Sequence, residues 1–399
     1  MSRHGRLRMW QSLRGVSDSS GLGDWHAADV APPSLAQLTL YFLHLGATGF
    51  GGPIALAGRM QRTLVDERRW FSRRDFLDGL ALAQLAPGPL AAQLAMYLGA
   101  VNYGAIGATI VGAAFVLPSF AIVWLLAAAY VRFGGMTWLG SAFYGVGAAV
   151  IAIIARAAWK LASTTLRRSP LLWTIWSVMA IVTAFSGREI IWLFLAAGFA
   201  PLVAQWLRRP RVTATMFVLL PALIDAQALR LFLFFAKAGA FVFGSGLAVV
   251  PFLYGEVVQR YHWLSDRQFL DAVAVAMITP GPVVITASFI GYLVAREPGM
   301  IAASIGVFLP AWLIVLAFAK RFRAVSHRPS VRLFVDGVTA AASGAMAGAV
   351  FLLGRRALID VPTVAIALAA LLLPLRWKRL GDVTLIAAAA IAGLLLKGT

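Results

Sequence analysis

"LAQLAPGPLAAQL", residues 82–94, sets a Pro-Gly-Pro triplet inside an apolar run, and "MITPGPVVIT", residues 277–286, does so again. Proline lacks a backbone N–H and clashes with the preceding turn, while glycine admits unusual dihedrals, so neither triplet is regular helix. The surroundings decide what such a break means. The 399 residues are 60% hydrophobic and only 13% charged, too apolar for a soluble chain of this length, so the fold class is an all-α polytopic membrane protein. In hydrocarbon, broken backbone survives only where protein or a water-filled cavity surrounds it.

Apolar runs near the ~20 residues that span a bilayer fall at about 35–50, 76–98, 106–130, 138–158, 171–186, 190–207, 229–250, 269–295, 301–319, 333–353, 361–375 and 383–397. A shorter run, "TATMFVLLPALI" at 213–224, is ambiguous. The net charge of +19 sits mostly in short clusters between runs, such as "RRSP" (167–170), "RRPR" (208–211), "KRFR" (320–323) and "RWKR" (376–379). That distribution fits positive-inside topology and anionic lipid better than a nucleic-acid partner. There are no cysteines, which excludes disulfides and thiolate chemistry. Residues 1–33 are polar, carry four Arg and lack an apolar core, so no cleavable leader is expected.

The chain repeats itself. At an offset of 193, "GATGFGGPIALA" (46–57) aligns with "GAFVFGSGLAVV" (239–250), and "WFSRRDFLDGLALAQLAPGP" (70–89) with "WLSDRQFLDAVAVAMITPGP" (263–282). Roughly 17 of the 44 positions from 46 to 89 are identical without a gap, a strong internal duplication. At offset 192, Pro118 meets Pro310 and Gly145 meets Gly337. The expected organisation is a polar segment 1–33, a first repeat 34–207, a linker 208–227 and a second repeat 228–399.

Charge argues for inversion. The loop near 132 carries one Arg where its counterpart, 320–332, carries Lys320, Arg321, Arg323, Arg328 and Arg332, and the bias reverses between 156–168 and its counterpart. Equivalent loops on opposite sides mean an inverted repeat. Two arrangements supply the odd number of crossings this needs. Either the Pro-Gly-Pro segments are re-entrant hairpins, with about ten crossings, or they cross and 213–224 crosses too, with about thirteen. The second is preferred because it puts the N-terminal Arg residues inside.

The expected anion path follows from the breaks. Helices starting near Leu90 and Val283, after Pro87-Gly88-Pro89 and Pro280-Gly281-Pro282, present oriented N–H groups and partial positive charge. A second break, Phe50-Gly51-Gly52-Pro53, is matched by "VFGSG" with Gly244, Ser245 and Gly246; tight packing through small residues is its bland alternative. Gln93, Thr279 and Thr286, with Gln84 and Ser288 beside them, can line a polar path or hydrogen-bond neighbouring helices. His44 and Lys237 occupy equivalent positions inside the membrane, where charge is functional by default, although Lys237 lies seven residues from Arg230 and a local role competes. Asp78 and Asp271 each follow an Arg, Arg74 and Arg267, by four residues, the spacing of a helix-surface ion pair, a reading preferred to a proton-relay role. Arg59 either steers anions or marks an interface. The sequence holds no HExxH, GxxxxGK[ST] or GxSxG signature, so an enzyme acting on lipid phosphates is disfavoured, and a mere scaffold gives no reason for duplicated breaks. No metal or cofactor is expected.

The paired "FGGP" and "PGP" blocks, separated by a stretch ending "W-(F/L)-S…F-L-D", resemble the chromate ion transporter family in its long, two-domain form. The resemblance covers nearly the whole chain and is most specific over 46–99 and 239–292. It implies a secondary transporter in the bacterial inner membrane that exports chromate and confers resistance, with sulfate, a tetrahedral dianion of similar size, as competitor; a carrier of sulfate or another tetrahedral oxyanion, exporter or importer, is the alternative. It carries function onto Phe50-Gly51-Gly52-Pro53, Pro87-Gly88-Pro89 and Pro280-Gly281-Pro282. The second half departs from the pattern where Ser245 and Gly246 replace Gly and Pro. A homodimer is left open.

Overall fold

The computed structural model describes residues 32–50, 52–133, 136–166, 169–186, 191–206, 226–242, 246–319, 329–377 and 380–397. Most of the N-terminal segment and of the 208–227 linker lies outside them.

The first half opens with α1 (Leu35–Thr48), capped by Ser34 in a reciprocal box with Gln37. Gly49 and Phe50 end it, and α2 (Pro53–Met60), with proline in its first turn, runs on into a π-helical turn, Gln61–Glu67. The chain has doubled back: Tyr41 of α1 packs edge-on against Trp70 at 6.5 Å, and the Arg59 guanidinium of α2 donates to the Thr48 carbonyl at 3.0 Å. A second reversal follows. α3 (Arg73–Leu85), capped by Ser72, ends at Ala86, and α4 (Leu90–Phe133) starts beyond Pro-Gly-Pro. Gly79 of α3 lies against Tyr97 and Leu94 of α4, so residues 73–103 form a hairpin with Pro87-Gly88-Pro89 at its tip.

α4 is not one rod. Gly104 has φ 59° and ψ −144°, and a Cβ on Gly99 would collide with the Gly107 carbonyl, while one on Gly112 would lie 2.7 Å from the Met96 side chain. The arm 90–103 therefore folds back on the arm 105–133. The Tyr103 hydroxyl donates to the Pro33 carbonyl at 2.5 Å, tying this end to the start of α1.

The second half has the same order of elements: α8 (Ala226–Gly239), a 3-10 turn Gly246–Val249 leading into α9 (Val250–Leu253), a π-helical turn at Tyr254–Arg260, α10 (Asp266–Ile278) and α11 (Thr286–Phe318), which breaks at Ala295 and Arg296. Among the described residues, positive φ occurs only in equivalent pairs: Gly88 with Gly281, Arg69 with His262, and Gly104 with Arg296. The duplication thus extends to the backbone conformation.

The preferred expectation of a crossing at each Pro-Gly-Pro is overturned. At 1.5 Å per residue, α3 spans about 20 Å and the arm 90–103 about 21 Å, short of a ~30 Å hydrocarbon core, and the two run back to back. Runs 76–98 and 269–295 fold back as hairpins, and α1 with α2, and Phe234 with Phe252 in the second half, likewise lie side by side. Long apolar helices flank them: Leu90–Phe133, whose 105–133 arm has the length, Thr137–Thr165 (α5), Val283–Phe318 and Leu333–Ala357 are long and apolar enough to cross a membrane.

The C-terminal elements are exchanged between halves. α5 packs on α13 (Val361–Arg376) and α14 (Asp382–Lys397), while α12 (Pro329–Ala357) packs on α6 (Pro170–Ser186) and α7 (Ile191–Trp206). Glycines make the approach close: Gly145 meets the backbone of Ala389, and its equivalent Gly337 meets that of Ala197. With lipid outside, close packing of small residues replaces the hydrophobic effect as the cohesive force.

Candidate functional site

The four hairpin tips converge. The Gly88 N–H donates to the Val242 carbonyl at 2.7 Å, and the Gly281 N–H to the Gly49 carbonyl at 3.0 Å. Gly88 and Gly281 are equivalent, as are Gly49 and Val242. Each Pro-Gly-Pro tip therefore closes on the other half's first break, the reciprocal contact of a pseudo-twofold axis. Glycine is required at both: φ is 141° at Gly88 and 101° at Gly281, and a Cβ would meet Ala311 at 2.8 Å or the Ser119 hydroxyl.

Side chains satisfy more of the freed backbone. The Ser119 hydroxyl, fully buried, donates to the Pro280 carbonyl at 2.7 Å, and Gln93 Nε2 donates to the Pro87 carbonyl at 3.3 Å. Gln93 Oε1 is buried without a partner. Thr279 donates to Val275 and Thr286 to Val283, closing their own helical turns. Leu90 is buried and Val283 half-buried, and Pro89, Pro280 and Pro282 are buried.

The tips meet head-on. Ser119, midway along the 105–133 arm, touches the second half's tip, and further along this arm Tyr130 reaches back along that hairpin, to Asp271 Oδ2 at 2.7 Å and to the Phe289 ring at 5.5 Å. The first half's hairpin lies along the opposite end of the same arm, where Gly107 and Gly112 pack on Gly99 and Met96. The two hairpins thus approach each other from opposite ends of one membrane-length helix.

The first breaks differ between halves. Phe50 is 48% exposed and Gly52 open, with Pro53 half-buried, whereas Gly246 is buried. Gly51, Gly244 and Ser245 lie outside the described residues. His44 is exposed one turn from its tip, and Arg59 folds onto the end of α1. Lys237 sits with Nζ 5.5 Å from the Phe252 ring centroid, a cation–π contact.

The expected Arg267–Asp271 ion pair does not form: Arg267 Nη2 donates to the Gly140 carbonyl at 2.8 Å, and Asp271, 3% exposed, takes its hydrogen bond from Tyr130. Tertiary partners 127 and 141 residues away outcompete a helix-face contact worth a few tenths of a kcal/mol. Asp78 is half-buried and Arg74 exposed, both on α3 away from the tip. Ser119 and Tyr130 were not anticipated. The matched Pro118 and Pro310 marked the first, since Ser119 and Ala311 are the next residues of the same alignment.

Two homologous repeats of broken helices, locked tip to tip among membrane-length helices, define a polytopic membrane protein of the transporter class. The chromate transporter profile matches residues 36–202 and 229–394. The chain belongs to the chromate transporter family. A chromate transport protein of Cupriavidus metallidurans is 53% identical over 388 residues, covering 94% of this chain and 96% of that protein. A probable chromate transport protein of Synechococcus elongatus is 51% identical, covering 95% of this chain and 99% of its own, and a chromate transport protein of Pseudomonas aeruginosa is 34% identical, covering 92% and 94%. No solved structure matches.

Proposed function

We propose that the chain exports chromate across the bacterial inner membrane, with the anion path running between the four hairpin tips. The reciprocal Gly88–Val242 and Gly281–Gly49 hydrogen bonds carry this reading. They bring broken backbone from both repeats to one place, and the helices beginning at Leu90 and Thr286, the latter through a short 3-10 turn from Val283, turn their N-terminal ends toward it. Partial positive charge there suits a tetrahedral dianion. Arg59 and Lys237, one fixed cation near each first break, raise the local anion concentration.

The head-on hairpins, taken with a 105–133 arm that crosses the bilayer, support repeats of 34–207 and 228–399 inverted across the membrane, the frame in which one half rocks against the other. Export needs little else. An inside-negative potential of 100 mV favours outward movement of a dianion by about 4.6 kcal/mol.

The test is chromate movement in vesicles reconstituted with the purified full-length chain. Saturable chromate flux, inhibited by sulfate and accelerated by a potential negative on the chromate side, is expected. Flux equal to that of protein-free vesicles overturns the reading, and sulfate flux without chromate flux reassigns the substrate within the same class of oxyanion.

A further inference from the structure

A cavity of about 990 Å³ opens between the ends of α4, α5, α10, α12 and α14. It lies along the second half's re-entrant hairpin, on the side away from the first half's. Its charged lining is mainly basic: Arg267, Arg356 and Lys397 against Asp266 and Asp271. Each cation is held by the protein. Arg356 pairs with Asp266, Lys397 stands 4.2 Å over the Tyr144 ring, and Arg267 donates to Gly140.

Asp271 is the exception in this wall. It is 3% exposed, and its hydrogen bond comes from a neutral hydroxyl, Tyr130 Oη at 2.7 Å. Among the described residues no cation lies within ion-pair distance of it. It stands eight residues before Thr279 on α10, about 12 Å along the helix from the tip, between the cavity and the Gly281–Gly49 contact. A dianion moving from Arg267 and Lys397 along α10 toward the tip would go by this carboxyl. An ionised carboxylate there repels it; the neutral acid does not, and its O–H can donate to an oxyanion oxygen.

We propose that Asp271 is a proton-operated gate on the anion path: protonated, it admits the oxyanion from the cavity to the hairpin tips, and ionised, it closes the route. The proton comes from water in the cavity and returns to it when the anion has passed. The groups facing Asp271 or sharing its cavity are Tyr130 from α4, Tyr144 from α5, Asp266 and Arg267 from α10, Arg356 from α12 and Lys397 from α14. Of these Tyr130 makes the direct contact, and its donated bond favours the ionised form. The equivalent residue in the first half, Asp78, is half-buried, so the gate belongs to one side of the path.

The gate rests on the proposed transport of chromate, and the test separates the two. Vesicles carrying the full-length wild type, Asp271→Asn or Tyr130→Phe are compared for chromate flux from about pH 6 to about pH 8. The variant-to-wild-type ratio at each pH cancels the substrate's own protonation. The proton occupancy of an acid falls about tenfold per pH unit above its midpoint. Because Asn is permanently neutral, the Asp271→Asn ratio is expected to rise at least about tenfold across this range. The Tyr130→Phe ratio rises as well, because a carboxyl without its donor keeps its proton to higher pH; this variant also decides the question if Asp271→Asn does not fold. A ratio that stays flat with pH for the folded variants overturns the gate and leaves transport standing. Wild-type vesicles that move no chromate at any pH overturn both.

Discussion

The first break of each half sits at the same place in its repeat and is flanked by different chemistry. In the first half the tip is open: Phe50 is 48% exposed, Ile54 68%, and Arg59 reaches back to the Thr48 carbonyl. In the second half the equivalents of Ile54 and Arg59 are Leu247, 8% exposed, and Phe252, 3% exposed, and Phe252 stacks at 6.2 Å on Phe241, the equivalent of Thr48. One contact, between the end of the first helix and the second turn of the next, is thus made by a guanidinium in one repeat and by stacked rings in the other. The fixed cation has changed sides as well, since Lys237 stands where the first half has His44. Duplication supplies the scaffold twice, and divergence leaves an exposed Arg59 beside one break and a buried Phe252 beside the other.

The largest effect should come from breaking what the halves share. Gly281→Ala forces an L residue to φ 101° and drives its Cβ into the Ser119 hydroxyl. Backbone strain of about 1–2 kcal/mol adds to overpacking of about 1–3 kcal/mol. The expected outcome is loss of chromate flux with a clearly lowered melting temperature in detergent. Gly52→Ala, where nothing lies within 4 Å of the added Cβ, should fold and melt like the wild type. If the two alanine variants melt alike, the tip contact is not what holds the halves together.

The next effect separates the two chemistries. Phe252→Ala removes a buried, doubly stacked ring and should cost about 3–5 kcal/mol of stability, read as a lower melting temperature. Arg59→Ala removes an exposed cation and should leave melting nearly unchanged while raising the chromate KM several-fold. A stability loss at Arg59 equal to that at Phe252 would mean that both positions only pack.

The duplicated breaks were visible in the sequence because proline and glycine change backbone geometry whatever surrounds them. The direction of the chain after them was not. Residues 76–98 form an apolar run of crossing length, and hydropathy is the same whether the two helices on either side of Pro87 continue or reverse. Gly79 facing Tyr97 settles it, a contact between small and large residues that no periodicity announces. Gly104 and Arg296 show the same limit: they make equivalent turns, yet an arginine at φ 51° carries no turn signal. Asp271 failed for another reason. Its spacing from Arg267 is a genuine local signal, overridden by Tyr130, which arrives from the other repeat. The exchange of α13 and α14 onto α5 was equally hidden, since apolar helix faces do not name their partners.

The smallest expected effect tests a difference inside the shared contact itself. The Pro280 carbonyl accepts from Ser119, and the position equivalent to Ser119 is Ala311, which has no hydroxyl; there Gln93 supplies the donor to Pro87 instead. The two tips solve the same problem, a carbonyl freed by the following glycine-proline turn, with donors from the two arms of α4. Ser119→Ala leaves a buried acceptor unpaired and should cost about 1–3 kcal/mol, with a modest drop in melting temperature and flux retained in part. Gln93→Ala should cost a similar amount from the opposite tip. The serine and the glutamine share no partner, so the double variant should lose the sum of the two. A double-variant loss well short of that sum would show that the tips are coupled through the Gly88–Val242 and Gly281–Gly49 bonds, so that loosening one hairpin has already loosened the other.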